Sequence, residues 1–578
     1  MTLKSGPRHK NYMKYIYKNS LFTLILLLAT SSALHADSLD DLARDFWVWR
    51  ASEQPISTDD IPRLVRPDPD HWLPDWSPAA VTRYRQQLEQ FESRWKKLDP
   101  SGWPIPRQVD YRLIGSAISR VRWELDLTRN WQRNPLFYMD QSLGAYFHLL
   151  LQPPPFDANR TRHIVETLAS IPRTVDYAKQ NLTQPVRPFA GLALDQLQDI
   201  RPRLLKSVRE LKTLLDSAYA RDLDSVTEKS IAALESYRDW LTRRLPSMPT
   251  ESAVGRDAYI FFLKNVALLP YTPEQLLRMG REEWARSVAF QTYEEHRNLA
   301  QPQLALFKDQ AEQIAREEKD ELAVRQYLEA KEILTVPSWV QHYRFLPLPG
   351  YLEPLSGVGE NDDFTGPGRL NDNGIRYIPA PSPNLGYFAL ATAKDPRGEI
   401  VHEGVPGHYF QLVLSWANPD LIRRHYYDSG ANEGIGFYAE EMMLEAGLFD
   451  DSPRTREIIY NFMRLRALRV EVDVKLALGE FTIDRAAEYL KTTVPMDATT
   501  AHAEAAFFAS APGQAISYQT GKLQILQFLA DARSQQGEKF QLRAFHDFLW
   551  QNGNVPIVLQ RWERLGLKDD VDALRSLH

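Results

Sequence analysis

Two histidines and a glutamate could bind and use a metal in the stretch "GEIVHEGVPGHYFQ", residues 398–411. In the pattern HExxH, two histidines four residues apart share one helix face and reach one zinc ion, while the glutamate between them acts as a general base. His402 and Glu403 match the first half of that pattern. The second histidine, however, is His408, two residues later than the pattern requires.

A regular helix cannot bring His402 and His408 together. At about 100° per residue, His408 would point about 120° away from the required face. Pro406 cannot donate a helical hydrogen bond and Gly407 tolerates unusual backbone angles, so we expect the helix to bulge or break there. Without Val405 and Pro406 the stretch would be "HEGGH", so the bulge could return His408 to the metal side. Two core histidines with ordinary hydrogen bonds are the alternative.

Acidic residues in "ANEGIGFYAEEMMLEAGLF" are candidates for a third ligand. Glu433 and Glu440 are seven apart, so they lie on one face of a helix that is otherwise apolar. Burying two acids there is costly unless a cation or hydrogen bonds satisfy them. Glu441 and Glu445 are more typical of a helix surface.

The motifs "HEGVPGHYFQ" and "EGIGFYAE" resemble the HExxPGHxxQ and EGWxLYAE pair of a large bacterial family, domain of unknown function 885. Further segments that resemble this family extend the likeness over roughly residues 40 to 575. The resemblance implies a mostly α fold, large and two-lobed, with a deep cleft and a small β-sheet next to the active-site helix, related to helical thermolysin-like (gluzincin) zinc metallopeptidases.

The same resemblance implies roles for individual residues. His402, His408 and Glu433 would bind Zn²⁺, Glu440 would support them from behind, and Glu403 would be the general base that activates a zinc-bound water. Tyr518 would stabilise the oxyanion, although a buried tyrosine bonded to a backbone carbonyl is the alternative.

Other residues are weaker candidates for a role in the site, and three positions depart from the family pattern. His502 is a weaker oxyanion donor, and Arg469 and Asp473, four apart, are more typical of a structural ion pair than of a substrate clamp. The chain has Tyr409 where the family often has a second histidine, Ile435 in place of a tryptophan and Gly436 in place of an alanine.

Helical patterns dominate the chain around these motifs. Apolar residues recur at three- and four-residue spacings through most of the first 340 residues. Proline, glycine and asparagine become frequent after "VPSWV", so we place a boundary near 336, between an N-terminal helical lobe (37–335) and a C-terminal catalytic lobe (336–578). "IRYIPA" and "LGYFALATA" are predicted strands, and helices resume at about 396. Such a sheet could bind an extended peptide or merely close the core.

The N-terminus has the order of a secretory signal, with five basic residues and an apolar run that ends in small residues. We predict that residues 1–36 are removed as a signal peptide on export to the periplasm. A retained membrane anchor is the alternative. Removal makes the chain more acidic than its net charge of −6, so nucleic acid is not expected as a partner.

The 578-residue chain contains no cysteine. This excludes disulfides, thiolate catalysis, thiolate metal ligands and a lipidated N-terminal cysteine. Together these features predict an exported zinc metallopeptidase that hydrolyses oligopeptides. The alternative is a periplasmic peptide-binding or scaffolding protein that keeps the fold without turnover.

Overall fold

The computed structural model describes residues 38–57 and 64–577. The predicted signal peptide, residues 1–36, lies outside these described residues. The described chain is mostly helical, with one small mixed sheet, as the sequence predicts. None of its helices is long and apolar enough to span a membrane.

Helices form most of the chain before residue 336. The longer ones are Leu39–Glu53, Pro78–Lys96, Ile105–Arg122, Ala158–Asn181, Arg187–Leu197, Ile200–Lys212, Leu223–Arg244, Pro273–Arg297 and Gln310–Ala330. The shorter ones are Asn130–Arg133, Pro135–Met139, Ala145–Leu151 and Arg256–Phe261. Single π-helical turns follow three of these helices, at Trp123–Thr128, Asp140–Gly144 and Phe262–Val266.

Four elements of the C-terminal half carry the predicted site, and each takes its name from the residue it carries. They are the His402 turn (the π-helical turn Ile400–Gly404), the His408 helix (His408–Trp416), the glutamate helix (Ser429–Glu445) and the tyrosine helix (Gln514–Gln536). The arginine helix, Pro453–Ala477, packs beside them. The remaining helices are Tyr387–Thr392, Arg397–Glu399, Leu421–His425, Ile483–Thr493, Ala498–Ser510, Leu542–Gln551, Ile557–Leu565 and Asp569–Ala573.

The sheet has three short strands in the order β1-β3-β2, where β1 is Tyr343–Pro347, β2 is Asp362–Asp363 and β3 is Gly374–Ile378. β1 runs parallel to β3, with Tyr343 opposite Gly374, and β2 runs antiparallel to it. The strand predicted from "IRYIPA" is therefore confirmed as β3.

The strand predicted from "LGYFALATA" is wrong, because Tyr387–Thr392 is a helix. The backbone N–H of Tyr387 donates to the carboxylate of Asp497, 110 residues further along the chain. A helix end that lacks a local cap can be satisfied in this way by a distant side chain. The sequence of residues 387–392 contains no information about this distant capping residue, which explains the error.

The hydrophobic cores cross the predicted boundary. The largest buried cluster joins residues such as Leu42, Leu113 and Leu204 to Tyr351, Tyr426 and Trp562. A second cluster packs the His408 helix and the glutamate helix against β1. The division near 336, and the deep cleft between two lobes, stay predictions.

Candidate metal centre

The helix that carries His402 breaks directly after it, where the sequence places Pro406 and Gly407. The His402 turn ends at Gly404, and a new helix begins at His408. A Cβ atom on Gly407 would lie 1.7 Å from the carbonyl oxygen of His402, so only glycine permits this close return of the chain. Trp550 Nε1 donates to the carbonyl of Pro406 at 2.7 Å, which anchors the break in the core.

The break brings the two imidazoles side by side. The ring centroids of His402 and His408 lie 4.6 Å apart, and both side chains are buried. On the neighbouring glutamate helix, a Cβ atom on Gly436 would lie 2.9 Å from His408 Cε1 and 3.1 Å from His402 Cε1. The absence of a side chain at 436 thus lets the glutamate helix approach both rings.

Glu433 projects from that helix between the imidazoles. Its Oε2 lies 3.0 Å from His408 Nε2 and 3.6 Å from His402 Nε2. Within the part of the chain that the structure describes, the buried Oε2 accepts no well-directed hydrogen bond, so the three atoms converge without pairing as donor and acceptor. Ligand atoms of a tetrahedral zinc site, each about 2.0–2.1 Å from the metal, lie roughly 3.3 Å apart. The donor set and its spacing therefore fit a zinc ion.

Two further contacts hold these groups in place. Gln514, at the start of the tyrosine helix, donates to Glu433 Oε1 at 3.3 Å, which leaves Oε2 facing the rings. His402 Nδ1 lies 2.6 Å from Glu440 Oε1, and Glu440 is fully buried. A carboxylate behind a histidine orients its ring so that Nε2 faces the metal.

Glu403 lies next to the imidazoles and lines the same cavity. Ligand atoms of His402, Glu403 and His408 all lie within 4.8 Å of one another, so distance alone would also allow Glu403 as a ligand. Glu403 is more exposed than Glu433, and Gln514 donates a hydrogen bond to Glu433. These two observations favour the role of general base for Glu403 and the role of metal ligand for Glu433.

The pKa shifts describe a tightly paired cluster. Burial raises the pKa of Glu403, but the positive charges of His408, His402 and Arg376 lower it overall. The same competition lowers the pKa of Glu433, where burial opposes His408 and His402. Burial lowers the pKa of His402, but its contacts with Glu433 and Glu440 raise it to about 9. Without a metal, the surrounding positive charge favours the ionised form of Glu403 and Glu433.

The cavity around this cluster is large enough for a peptide segment. Its volume is about 990 Å³, at the upper end of the range of ligand pockets. Residues from both halves of the chain line it, among them Gln152, Arg160, Phe364, Glu403 and Tyr518. The His402 and Tyr518 rings are nearly parallel, with centroids 6.2 Å apart.

Of the weaker candidates, Arg469 lines the cavity, whereas Asp473 and His502 are not among the residues that line it. Arg469 and Asp473 do not pair with each other: Arg469 donates twice to Glu504 at 2.7 Å, and Asp473 accepts the backbone N–H groups of Gly513 and Ala515. The expected structural ion pair between Arg469 and Asp473 is therefore wrong. His502 is half-buried and is not among the residues that line the cavity.

The positions that depart from the family pattern have plain structural roles. Tyr409 is fully buried, stacks on Tyr343 with centroids 5.7 Å apart, and donates to the carbonyl of Asp372. Ile435 is buried in the same core cluster as Tyr409.

The sequence analysis missed two arginines near the centre. Arg466 Nη2 lies 2.9 Å from Glu440 Oε1, and Arg376 of β3 forms ion pairs with Asp362 and Glu399. Arg466, Arg469 and Asp473 fall at positions 0, 3 and 7 of one helix, a spacing that marks a shared face. Arg376 could have been noticed in the sequence as the one charged residue in the apolar predicted strand "IRYIPA".

Comparison with known proteins assigns the chain to a family. The model of a bacterial family of proteins of unknown function, DUF885, matches residues 63–561. The chain belongs to this family. No curated protein matches it.

Two solved structures share the fold of this DUF885 protein. One is described as a "putative lipoprotein of unknown function" from Shewanella oneidensis, with 18% identity, a TM-score of 0.68, and coverage of 91% of this chain and 99% of the other. The second, a "putative lipoprotein" from Colwellia psychrerythraea, has 17% identity, a TM-score of 0.68 and coverage of 93% and 99%. At these identities the likeness concerns the fold alone.

Proposed function

We propose that the protein is an exported zinc peptidase. The observation that carries this proposal is the convergence of His402 Nε2, His408 Nε2 and Glu433 Oε2 in a cavity wide enough for a peptide. A zinc ion held by these three groups would act as a Lewis acid and make a water molecule nucleophilic at neutral pH.

The protein's own groups would do the rest of the chemistry. Glu403, kept ionised by the surrounding positive charge, takes a proton from the attacking water and passes it to the leaving amine. Tyr518, beside the His402 ring, donates a hydrogen bond to the oxyanion. Glu440, 2.6 Å from His402 Nδ1, would keep Nε2 of that ring free to bind the metal.

Export is supported by the predicted signal and by the description of the two structural neighbours as putative lipoproteins. This chain has no cysteine, so it cannot carry a lipid on an N-terminal cysteine as lipoproteins do. A periplasmic location after export is the one that these features favour.

Metal analysis and a peptide digest test the proposal together. We expect one equivalent of zinc in purified protein and cleavage of a peptide library, read by mass spectrometry. Glu403→Gln should retain zinc but lose hydrolysis by roughly 10²–10⁴-fold, because it removes the base and no ligand. The matched control is Glu445→Gln, an exposed position on the glutamate helix, which should keep both.

Two other outcomes would contradict the proposal. Metal-free protein that binds peptides without cleaving them would support the scaffolding alternative. Wild-type activity in Glu403→Gln would remove Glu403 from the mechanism.

A further inference from the structure

Two arginines share one end of the cavity. Arg466 and Arg469 lie three residues apart on the arginine helix, each is 4% exposed, and both line the cavity. Residues three apart face the same side of a helix, so the two guanidinium groups are neighbours.

Neither guanidinium group is fully used by the protein. Arg469 donates to Glu504 through Nε and Nη2, which occupies only one edge of the group. Arg466 contacts Glu440 through Nη2, but its Nε and Nη1 are buried and have no hydrogen-bond partner among the described residues, 38–57 and 64–577. A buried donor without an acceptor destabilises the folded protein. A ligand that supplies acceptor oxygens would offset that cost.

A buried arginine with a structural role looks different in this protein. Arg423 donates through Nε to Asp110, through Nη1 to Asn552 and through Nη1 and Nη2 to Glu563. Within the described part of the chain, Arg466 is the arginine with two buried nitrogens that lack a partner. This contrast separates Arg466 from the arginines that only hold the fold together.

Aromatic rings surround the pair. The guanidinium carbons of Arg466 and Arg469 lie 5.9 and 5.6 Å from the Phe388 ring centroid, and 5.9 and 4.6 Å from that of Tyr518. Phe462 and Phe508 complete the enclosure at 5.0 Å from Arg466 and 5.4 Å from Arg469. The subsite therefore combines cationic donors with walls that suit an apolar side chain.

Tyr518 connects this subsite to the candidate metal centre. Its ring lies 6.2 Å from the His402 ring and 4.6 Å from the Arg469 guanidinium carbon. One residue of extended chain spans about 3.3–3.6 Å, so the Arg469 guanidinium carbon lies within about three residues of extended peptide from the His402 ring.

We propose that Arg466 and Arg469 bind the C-terminal carboxylate of a peptide whose last residue is apolar. The protein would then remove short pieces, one to three residues long, from the C-terminal ends of its substrates. This inference rests on the proposed peptidase function. A carboxylate has the planar pair of acceptors that a guanidinium edge binds.

Matched peptides provide the first test. Zinc-loaded protein is given one sequence as the free acid and as the C-terminal amide, each with a free and with an acetylated N-terminus. We expect kcat/KM to be at least about tenfold higher for the free acid, because the amide removes a charged acceptor. Acetylation should have no such effect. Equal cleavage of acid and amide, or products cut far from the C-terminus, would overturn the inference.

Variants assign the preference to the residues. In Arg469→Gln we expect the acid-to-amide ratio of kcat/KM to fall towards one, mainly through a higher KM for the acid, with partial rescue in Arg469→Lys. The control, Arg297→Gln, changes an arginine that is 70% exposed and should keep the wild-type ratio. A preserved ratio in Arg469→Gln would contradict the assignment.

A binding measurement separates failure of this inference from failure of the proposed function. Calorimetry with Glu403→Gln protein and the same peptides should show tighter binding of the free acid. If wild-type protein cleaves nothing but this preference remains, the peptidase proposal fails and the carboxylate subsite stands. If cleavage occurs without any preference in binding, the subsite fails alone.

Discussion

Two buried acids meet the start of the tyrosine helix, and the protein treats them in opposite ways. Asp473 accepts hydrogen bonds from the Tyr259 hydroxyl and from the backbone N–H groups of Gly513, Ala515 and Ile516. Glu433 receives Gln514 on one oxygen, while its other oxygen faces two imidazoles without a well-directed donor. Asp473 is satisfied by the fold, whereas Glu433 is left for a ligand.

This difference teaches that burial of a carboxylate does not distinguish structure from function. The distinction lies in the donors. Buried polar groups are nearly always hydrogen-bonded, so one that is not requires an explanation. At Asp473 the donors are the orphan N–H groups of a helix N-terminus. At Glu433 the zinc ion that we propose would fill the vacant lone pairs.

Replacement of Glu433 should produce the largest effect. In Glu433→Gln we expect zinc affinity to fall by more than roughly 100-fold, beyond the losses that outer-sphere partners cause. Competition with a chromogenic chelator measures it, with Glu445→Gln as the control. Unchanged affinity in Glu433→Gln together with a loss in Glu403→Gln would exchange the roles of the two glutamates.

The matching change at the other acid should affect folding instead. In Asp473→Asn the amide NH₂ would face backbone donors, so we expect the free energy of unfolding to fall by about 2–4 kcal/mol. Urea unfolding of metal-free protein measures the loss. Zinc affinity of the folded variant should match wild type, and a selective loss of zinc would undo the contrast between the two acids.

The pH dependence of stability should separate the two sites in metal-free protein. The folded-state pKa of His402, about 9, exceeds its ordinary value of 6.5, so its contribution is complete below pH 6.5 and is lost as the pH rises through 9. The loss is at most about 3 kcal/mol. Burial raises the pKa of Asp473 from 3.8 to about 6. The contribution of Asp473 to stability is therefore complete below about pH 4 and is lost as the pH rises through 6, well below the range in which His402 acts.

Urea unfolding at pH 6.5 and 9.5 checks this expectation after removal of metal by a chelator. The alkaline loss of stability should shrink in Glu433→Gln, because that variant removes a contact that raises the pKa of His402. It should persist in Asp473→Asn. An equal alkaline loss in Glu433→Gln would show that another group is responsible.

The smallest expected effect concerns the crossing of the two helices. A Cβ atom on Gly434 would lie 2.6 Å from Gly521 Cα, so Gly434→Ala should push the glutamate and tyrosine helices apart and lower the free energy of unfolding by about 1–3 kcal/mol. Gly191→Ala, in a helix with nothing within 4 Å, should be neutral or stabilise by about 0.5–1 kcal/mol. Thermal unfolding of both variants measures the difference, and similar shifts would contradict the close crossing.

Much of the candidate site was accessible from the sequence because its constraints are local. Regular helix geometry cannot join His402 to His408, and Pro406 with Gly407 is the backbone chemistry that ends a helix between them. The spacing of Glu433 and Glu440 predicted one face, and the structure places both beside His402. The roles of these residues stay predictions until a metal is measured.

The errors arose where a distant residue decides the local structure. The helix Tyr387–Thr392 is capped by Asp497, and Arg469 pairs with Glu504 rather than with the acid one helical turn away. Arg466 could be recognised as a candidate only from the structure, in which it contacts Glu440, the carboxylate next to His402 Nδ1. Residue spacing within one helix contains no information about these partners.

The sequence by itself therefore determined the break after Glu403, the types of side chain available to a metal and, through the absence of cysteine, the exclusion of thiolate ligands. Only the tertiary structure decided which acid faces the imidazoles and which is used by a helix end. Backbone chemistry acts between neighbours along the chain, whereas the donors that satisfy a buried carboxylate come from whichever element the fold packs against it.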